Sequence, residues 1–314
     1  MRTAVYKHRL FQEHYTGEGH PECPDRIKAV EDLLRQEPFC SGLELYEPPR
    51  VREKWLKLAH DEFYIKSIKQ ICPVSGVAEV CSGTFVSSKS MEAALHAAGA
   101  VCQAVDDCFT GKIDRAFCAV RPPGHHALAG EAMGFCLFNN AAIGAMYAMS
   151  KYGAERIALV DIDVHHGNGT EAFAREHEGI FFISSHQWPL WPGSGRGDDN
   201  IEGRILNIPL PPGSGPREFR RAYKEQVFPA LEEYGPELIL ISAGFDAHRD
   251  DPLAGLNLMD EDYGWITGNI CDIAERHCGG RVISTLEGGY NLDALKRSVA
   301  AHLRALMSAD NFYF

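Results

Sequence analysis

No two of the chain's ten cysteines stand in a Cys-x-x-Cys pair. They are scattered through apolar segments such as "AFCAV" and "AVCQAVDDCF". That argues against a disulfide framework or a cysteine-based zinc module, and for buried, reduced thiols. Positive charge is also in short supply: 31 Lys and Arg face 43 Asp and Glu, a net charge of −12. There is no basic footprint for nucleic acid. An acidic surface suits cationic substrates, or serves only solubility. No apolar run is long enough to span a bilayer, and the N-terminal "MRTAVYKHRLFQEHY" lacks the apolar region of a secretory signal. No repeat, low-complexity tract or linker breaks the chain. These absences predict a cytoplasmic protein without membrane or nucleic-acid partners, and leave oligomer formation open.

What is present is apolar and periodic. The 314 residues are 45% hydrophobic, enough for one large core, and predict a single domain. Apolar, β-rich runs fall at 115–120, 156–164, 179–185, 204–210, 237–245 and 281–288. Helical patterns fall at 90–109, 136–152, 217–234, 261–277 and 293–308. Uniformly apolar strands separated by helices predict an α/β fold, a parallel sheet covered on both faces. The Gly- and Pro-rich stretch "WPLWPGSGRGDDN" (188–200) reads as a loop after a strand end, where such folds carry function.

Chemistry gathers at the strand ends. "RIALV" runs into "DIDVHHGNGT". Alternation along the strand turns Asp161, Asp163 and His165 to one side. Two buried carboxylates on one face cost several kcal/mol each unless a cation or strong donors compensate. A metal held by an Asp-x-His pair is the simplest compensation; a strand that emerges early into solvent is the alternative. "LILISAGFDAH" supplies Asp246 at a second strand end. Two carboxylates and one imidazole with an open position are the mark of a catalytic zinc site. "RAFCAV" leads to the stiff "RPPGHHALAG", which presents His125 and His126 for acid and base work. "LEGGYNL" brings Tyr290, a hydrogen-bond donor for an oxyanion or else a packed aromatic.

These motifs resemble those of the histone deacetylase and acetylpolyamine amidohydrolase family. "RPPGHHA", "GFCLFNN", "DIDVHHGNGT", "SAGFDAH" and "LEGGYNL" stand in the family's order, on its class II side, and "GHPECPDR" extends the likeness toward the N-terminus. The resemblance implies an arginase-like α/β domain with about eight parallel strands and helices on both faces. It implies one catalytic zinc held by Asp163, His165 and Asp246. It makes His125 and His126 the catalytic histidines, partnered by Asp161 and Asn168, and Tyr290 the carbonyl-polarising tyrosine. His166 is not a ligand. The resemblance also implies a structural monovalent cation, potassium, at Asp161, Asp163, His165, Ser184 and Ser185. Gly134, Phe135, Trp191 and Leu253 match the substrate tunnel, and Arg26 an inner acetate channel.

The implied reaction is hydrolysis of an N-acyl amide, on acetyl-lysine or an acetylated amine. A manganese ureohydrolase on the same fold would place an acid where His248 stands. A non-catalytic acyl-lysine-binding scaffold would not need every catalytic position filled. Leu253 offers no charge to a distal ammonium, and "ALAGEAMGF" departs from the polar linker of relatives. The sequence therefore favours an uncharged or peptide-borne acetyl-lysine, or a small N-acetylated amine, over a long acetylpolyamine, with Glu18, Glu22 and Glu131 as candidates for the rim.

Overall fold

The computed structural model describes residues 1–308. Its strands are β1 (Thr3–Tyr6), β2 (Glu44–Tyr46), β3 (Val77–Cys81), β4 (Thr84–Ser87), β5 (Arg115–Cys118), β6 (Ile157–Asp161), β7 (Ile180–Gln187), β8 (Ile205–Leu210), β9 (Leu238–Ala243) and β10 (Val282–Leu286). Eight of them form one sheet in the order β2-β1-β5-β10-β9-β6-β7-β8, with every pair parallel. The other two, β3 and β4, form an antiparallel hairpin.

The inner strands read "RAFC", "IALVD", "LILISA" and "VISTL", and every residue in them is buried. That is the composition of strands covered on both faces. Alternate residues reach opposite layers. On β10, Ser284 Oγ bonds His302 Nε2 at 2.8 Å, in the helix Leu292–Met307. The preceding Ile283 is in register with Leu240 of β9, which packs beside Gly144 of the helix Asn140–Tyr152. Helices therefore flank the sheet on both sides. None among the described residues is long and apolar enough to cross a membrane.

All six strands expected from the sequence form; five are shorter than expected, and the one expected at 179–185 runs on to Gln187. The helix expected from residue 136 starts at Asn140, because Asn139 Oδ1 accepts the Ala142 N–H at 3.0 Å and caps it. The helix expected at 217–234 is interrupted by a π turn at Tyr223–Val227. Pro229 lies just beyond; it has no N–H for the carbonyl four residues back, and the wider turn absorbs that loss.

Five neighbouring strands, β5, β10, β9, β6 and β7, place their C-terminal ends side by side on one edge. The loops that leave them carry the motifs singled out above, except "GHPECPDR", which follows β1. Open parallel sheets bind ligands at this edge.

Candidate active site

The pattern predicts a strand running through Val164, but β6 stops at Asp161. Asp163 N–H turns back to Asp161 Oδ1 at 3.1 Å, and Val164 N–H goes to Asp246 Oδ1 at 2.8 Å. These bonds replace the sheet ladder and fold the end of β6 onto the end of β9. As a result the donor atoms of Asp163, His165 and Asp246 lie within 4.8 Å of one another. His165 Nδ1 stands 3.1 Å from Asp163 Oδ1 and 3.3 Å from Asp246 Oδ2.

This trio fits a divalent metal. Bonds of about 2.0–2.1 Å in tetrahedral geometry put ligand atoms roughly 3.3 Å apart. Asp246 Oδ2 is buried and accepts no hydrogen bond. A side chain on Gly288 would fill the space between the carboxylates, its Cβ falling 2.1 Å from Asp246 Oδ2 and 2.6 Å from Asp163 Oδ2. Instead, Gly288 N–H donates to Asp163 Oδ2 at 2.9 Å. Burial, and then the neighbouring Asp163, push the Asp246 carboxyl up to about 7. Two buried carboxylates share one half-buried imidazole, which leaves negative charge for a cation to neutralise.

The "RPPGHH" loop leaves β5 and brings both histidines to the same place. Their ring centroids are 3.8 Å apart. His125 Nδ1 meets Asp161 Oδ2 at 2.9 Å, and His126 Nδ1 meets Asn168 Oδ1 at 2.8 Å. Asn168 opens the helix Asn168–Glu176, which the turn-like "GNGT" conceals in the sequence. Burial opposes charge on His125, but Asp161 and Asp163 outweigh it and hold its pKa well above the ordinary value. Burial, with His125 and His165 beside it, pushes His126 well below. Burial and then the Asp246 charge raise the Tyr290 phenol well above its ordinary value, so it keeps its proton.

Gly134, Phe135, Trp191, Leu253, Tyr290, His126 and His165 line one cleft of about 490 Å³. Trp191 stands edge-on to His126 at 4.7 Å. Gly134 permits this packing: a Cβ there would come within 2.4 Å of His126 and 2.5 Å of Trp191. Phe135, held at φ 69°, donates its N–H to Thr84 Oγ1 at 3.0 Å, so the β3–β4 hairpin braces that wall.

Arg26 lies beneath the cleft and is fully buried. It donates to Gly289 O at 2.7 Å, to Glu287 O at 2.5 Å and to Glu22 Oε1 at 2.9 Å. Glu22 also pairs with Arg121, so it is buried beneath the site and not at the rim. Burial alone would raise its carboxyl, but Arg121 and Arg26 hold it at about 2. Ser184 of β7 is in register with Asp161, and its Oγ meets His186 Nδ1 at 2.9 Å; Ser185 Oγ meets Tyr223 Oη at 2.7 Å. Both serines are buried beside the loop that carries Asp163 and His165. His248 faces elsewhere: its Nε2 meets Asp260 at 3.0 Å, and its Nδ1 accepts Asp250 N–H at 3.0 Å. His166 is likewise engaged, between Ser194 and Glu171 at 2.8 Å each.

Two acids escape the sequence reading. Glu287 Oε2 accepts the N–H groups of Gly124 at 2.6 Å and His125 at 3.1 Å, and so fixes the tandem-histidine loop. Asp251 accepts Tyr290 N–H at 2.7 Å and Asn291 N–H at 3.3 Å. An acid set within apolar "STLEGG" was the available signal for the first; nothing local marks the second. His125, Cys136 and Glu287 also bring donor atoms within 4.8 Å. There, however, burial raises the Cys136 thiol well above its ordinary value, and it donates to Gly134 O at 3.4 Å.

Comparison with known proteins agrees with this geometry. The histone deacetylase domain family matches residues 20–306. The histone deacetylase-like amidohydrolase of Pseudomonas aeruginosa is 37% identical over 87% of this chain and 73% of its own. Type-2 histone deacetylase 2 of Dictyostelium discoideum is 37% identical over 98% of this chain, which spans only 21% of that longer protein. The crystal structure of the HDA15 HD domain superposes with a TM-score of 0.92 at 33% identity, over 98% of this chain and 89% of that one. With eight parallel strands and a cleft at their shared edge behind it, this match is one of fold and sequence together: the chain belongs to the histone deacetylase family.

Proposed function

We propose that this protein is a zinc-dependent deacetylase, one domain spanning 1–314, that hydrolyses N-acetyl amides of lysine side chains or of small amines. The observation that carries the reading is the convergence of a three-ligand cluster, a tandem-histidine pair and a phenol on one narrow aromatic cleft. Asp163, His165 and Asp246 would hold the divalent ion, which when bound supplies Lewis acidity at the carbonyl and lowers the pKa of water. Asp161, Asp163, His165, Ser184 and Ser185 would hold a structural potassium ion. The ten free cysteines support a cytoplasmic setting.

The chain's own groups do the rest. Phe135 and Trp191 wall an extended alkyl chain and exclude water. His126 donates its Nδ1–H to Asn168 Oδ1, which leaves the Nε2 lone pair free. A neutral amide partner does not stabilise an imidazolium as a carboxylate does, so His126 rests unprotonated. It takes a proton at Nε2 from the attacking water and returns it to the departing nitrogen. His125, held by Asp161, supports the developing charge. Tyr290 donates its O–H to the carbonyl oxygen as negative charge grows there. Water and amide become acetate and amine. Arg26 lies on the inner side, toward which acetate would leave.

The direct test is release of free amine from an acetyl-lysine peptide by the purified chain. Hydrolysis by the protein, lost in His126→Ala, is expected. A well-folded protein that hydrolyses no acetamide, from peptide to small amine, overturns the reading.

A further inference from the structure

Of the three acids considered for the rim, Glu22 is buried beneath the site, Glu18 does not line the cleft, and Glu131 does. Glu131 shares the cleft's wall with Cys81, Ser82, Leu190 and Leu253, and among the described residues no lysine or arginine lines that wall. Its side chain is exposed, with no ion pair among the described residues. The backbone that carries it is fixed. Leu128 N–H closes the turn on Glu131 O at 3.0 Å. His60 Nδ1 donates to Leu128 O at 3.0 Å, and Asp61 N–H to Ala129 O at 2.9 Å. On the far side, Cys81 Sγ donates to Ala132 O at 3.0 Å. A second carboxylate stands against the same turn: a Cβ on Gly130 would lie 3.1 Å from Asp61 Oδ2.

We propose that Glu131 is a specificity-determining residue, selecting substrates that carry a second, uncleaved cation beyond the acetamide. The proposal rests on the deacetylase reading above and names the substrate feature that the same cleft prefers. The acetamide end is neutral and is met by the histidines and Tyr290; the aromatic walls accept only an apolar linker. A cation attached to the far end of that linker meets a carboxylate whose backbone is already positioned, so only its side chain has to be ordered for the contact. Opposite charge there also draws the substrate to a protein of net charge −12. This departs from the expectation drawn from Leu253 alone: the carboxylate absent at that position is provided by another loop. The cation belongs either to a mono-acetylated diamine or to a Lys or Arg beside acetyl-lysine in a peptide.

The test compares kcat/KM for matched pairs. One arm uses N-acetylated alkylamines of graded length, ending in a methyl group or an ammonium. The other uses acetyl-lysine peptides with a neighbouring Ala or Lys. The pair is solvent-exposed, so the unaltered chain is expected to prefer the cationic member by about two- to fivefold at low salt. The preference should fade as salt is raised. It should fall to near one in Glu131→Gln and invert in Glu131→Lys. The arm that shows it identifies the source of the cation. No preference in either arm, or a preference unchanged in Glu131→Gln, overturns the proposal while leaving deacetylation standing. Failure to hydrolyse any member, neutral ones included, overturns the deacetylase reading and this proposal with it.

Discussion

Tyr290 is placed by its backbone and acts through one oxygen. Asp251 anchors its N–H, and Arg26 holds the carbonyls of Glu287 and Gly289 on either side of the turn. Tyr290→Phe keeps the ring and these anchors and removes only the donor. We predict that turnover falls by about 100–1000-fold, the usual cost of one oxyanion donor, with metal content unchanged. Undiminished turnover on the best substrate would contradict the role. The histidines differ in what removal takes away. His126→Ala deletes the group assigned both proton transfers, whereas His125→Ala deletes its neighbour. Steady-state kinetics should find His126→Ala at least as damaging, and the reverse order would exchange their roles. At this scale the sequence is legible wherever chemistry is written into a motif: Asp163, His165 and Asp246 converge as their spacing implies. It is silent on Asp251, whose partners at 290 and 291 are brought to it only by the fold.

Elements meet through buried charge. Glu22 precedes the helix Asp25–Gln36 and bonds Arg26 at that helix's start, yet another partner, Arg121, is 99 positions away in the loop that leaves β5. The Arg26–Glu22–Arg121 cluster thus ties the turn before Tyr290 to the tandem-histidine loop. Removing the middle charge leaves two buried cations facing a neutral group. Glu22→Gln is predicted to lose about 3–5 kcal/mol in urea denaturation. The exposed Glu18→Gln should stay within about 0.5 kcal/mol of the parent. Equal stability of the two variants would contradict the buried cluster. A carboxylate in "GHPECPDR" gives no sign of its depth, which is why Glu22 passes in the sequence for a rim residue. Short elements were hidden for a similar reason. β1 has four residues and β2 three, too few for a period to show, and both are held by partners distant in the chain. The long buried strands and their helices were plain because composition and period agree over many residues.

At the scale of the molecule, the fold buries histidines that must stay neutral. His60 Nδ1 donates to Leu128 O while Nε2 accepts Asn139 N–H at 2.9 Å, so a second ring proton would break a bond. Burial lowers His60 to about 4, and burial lowers His302 and His14 further, to about 3. A histidine whose folded pKa is depressed lets the unfolded chain take up protons first, so stability falls as pH drops from about 6.5 toward 4. Glu22 and Glu171, each held at about 2 against burial by their partners, add a further loss from about 4.5 downward. The histidine contribution is isolated by difference: the drop in urea midpoint between pH 6.5 and pH 4 should be smaller in His302→Gln than in the parent, and an equal drop would contradict the buried neutral histidines. The account as a whole turns on one open three-ligand site at the shared edge of five strands. Its most direct test is to strip the purified protein with a chelator and titrate zinc back while following release of amine from an acetyl-lysine peptide. The account predicts that activity disappears on stripping and returns in full at about one zinc per chain. Activity that survives chelation, or that needs two equally tight ions at the centre, would contradict it.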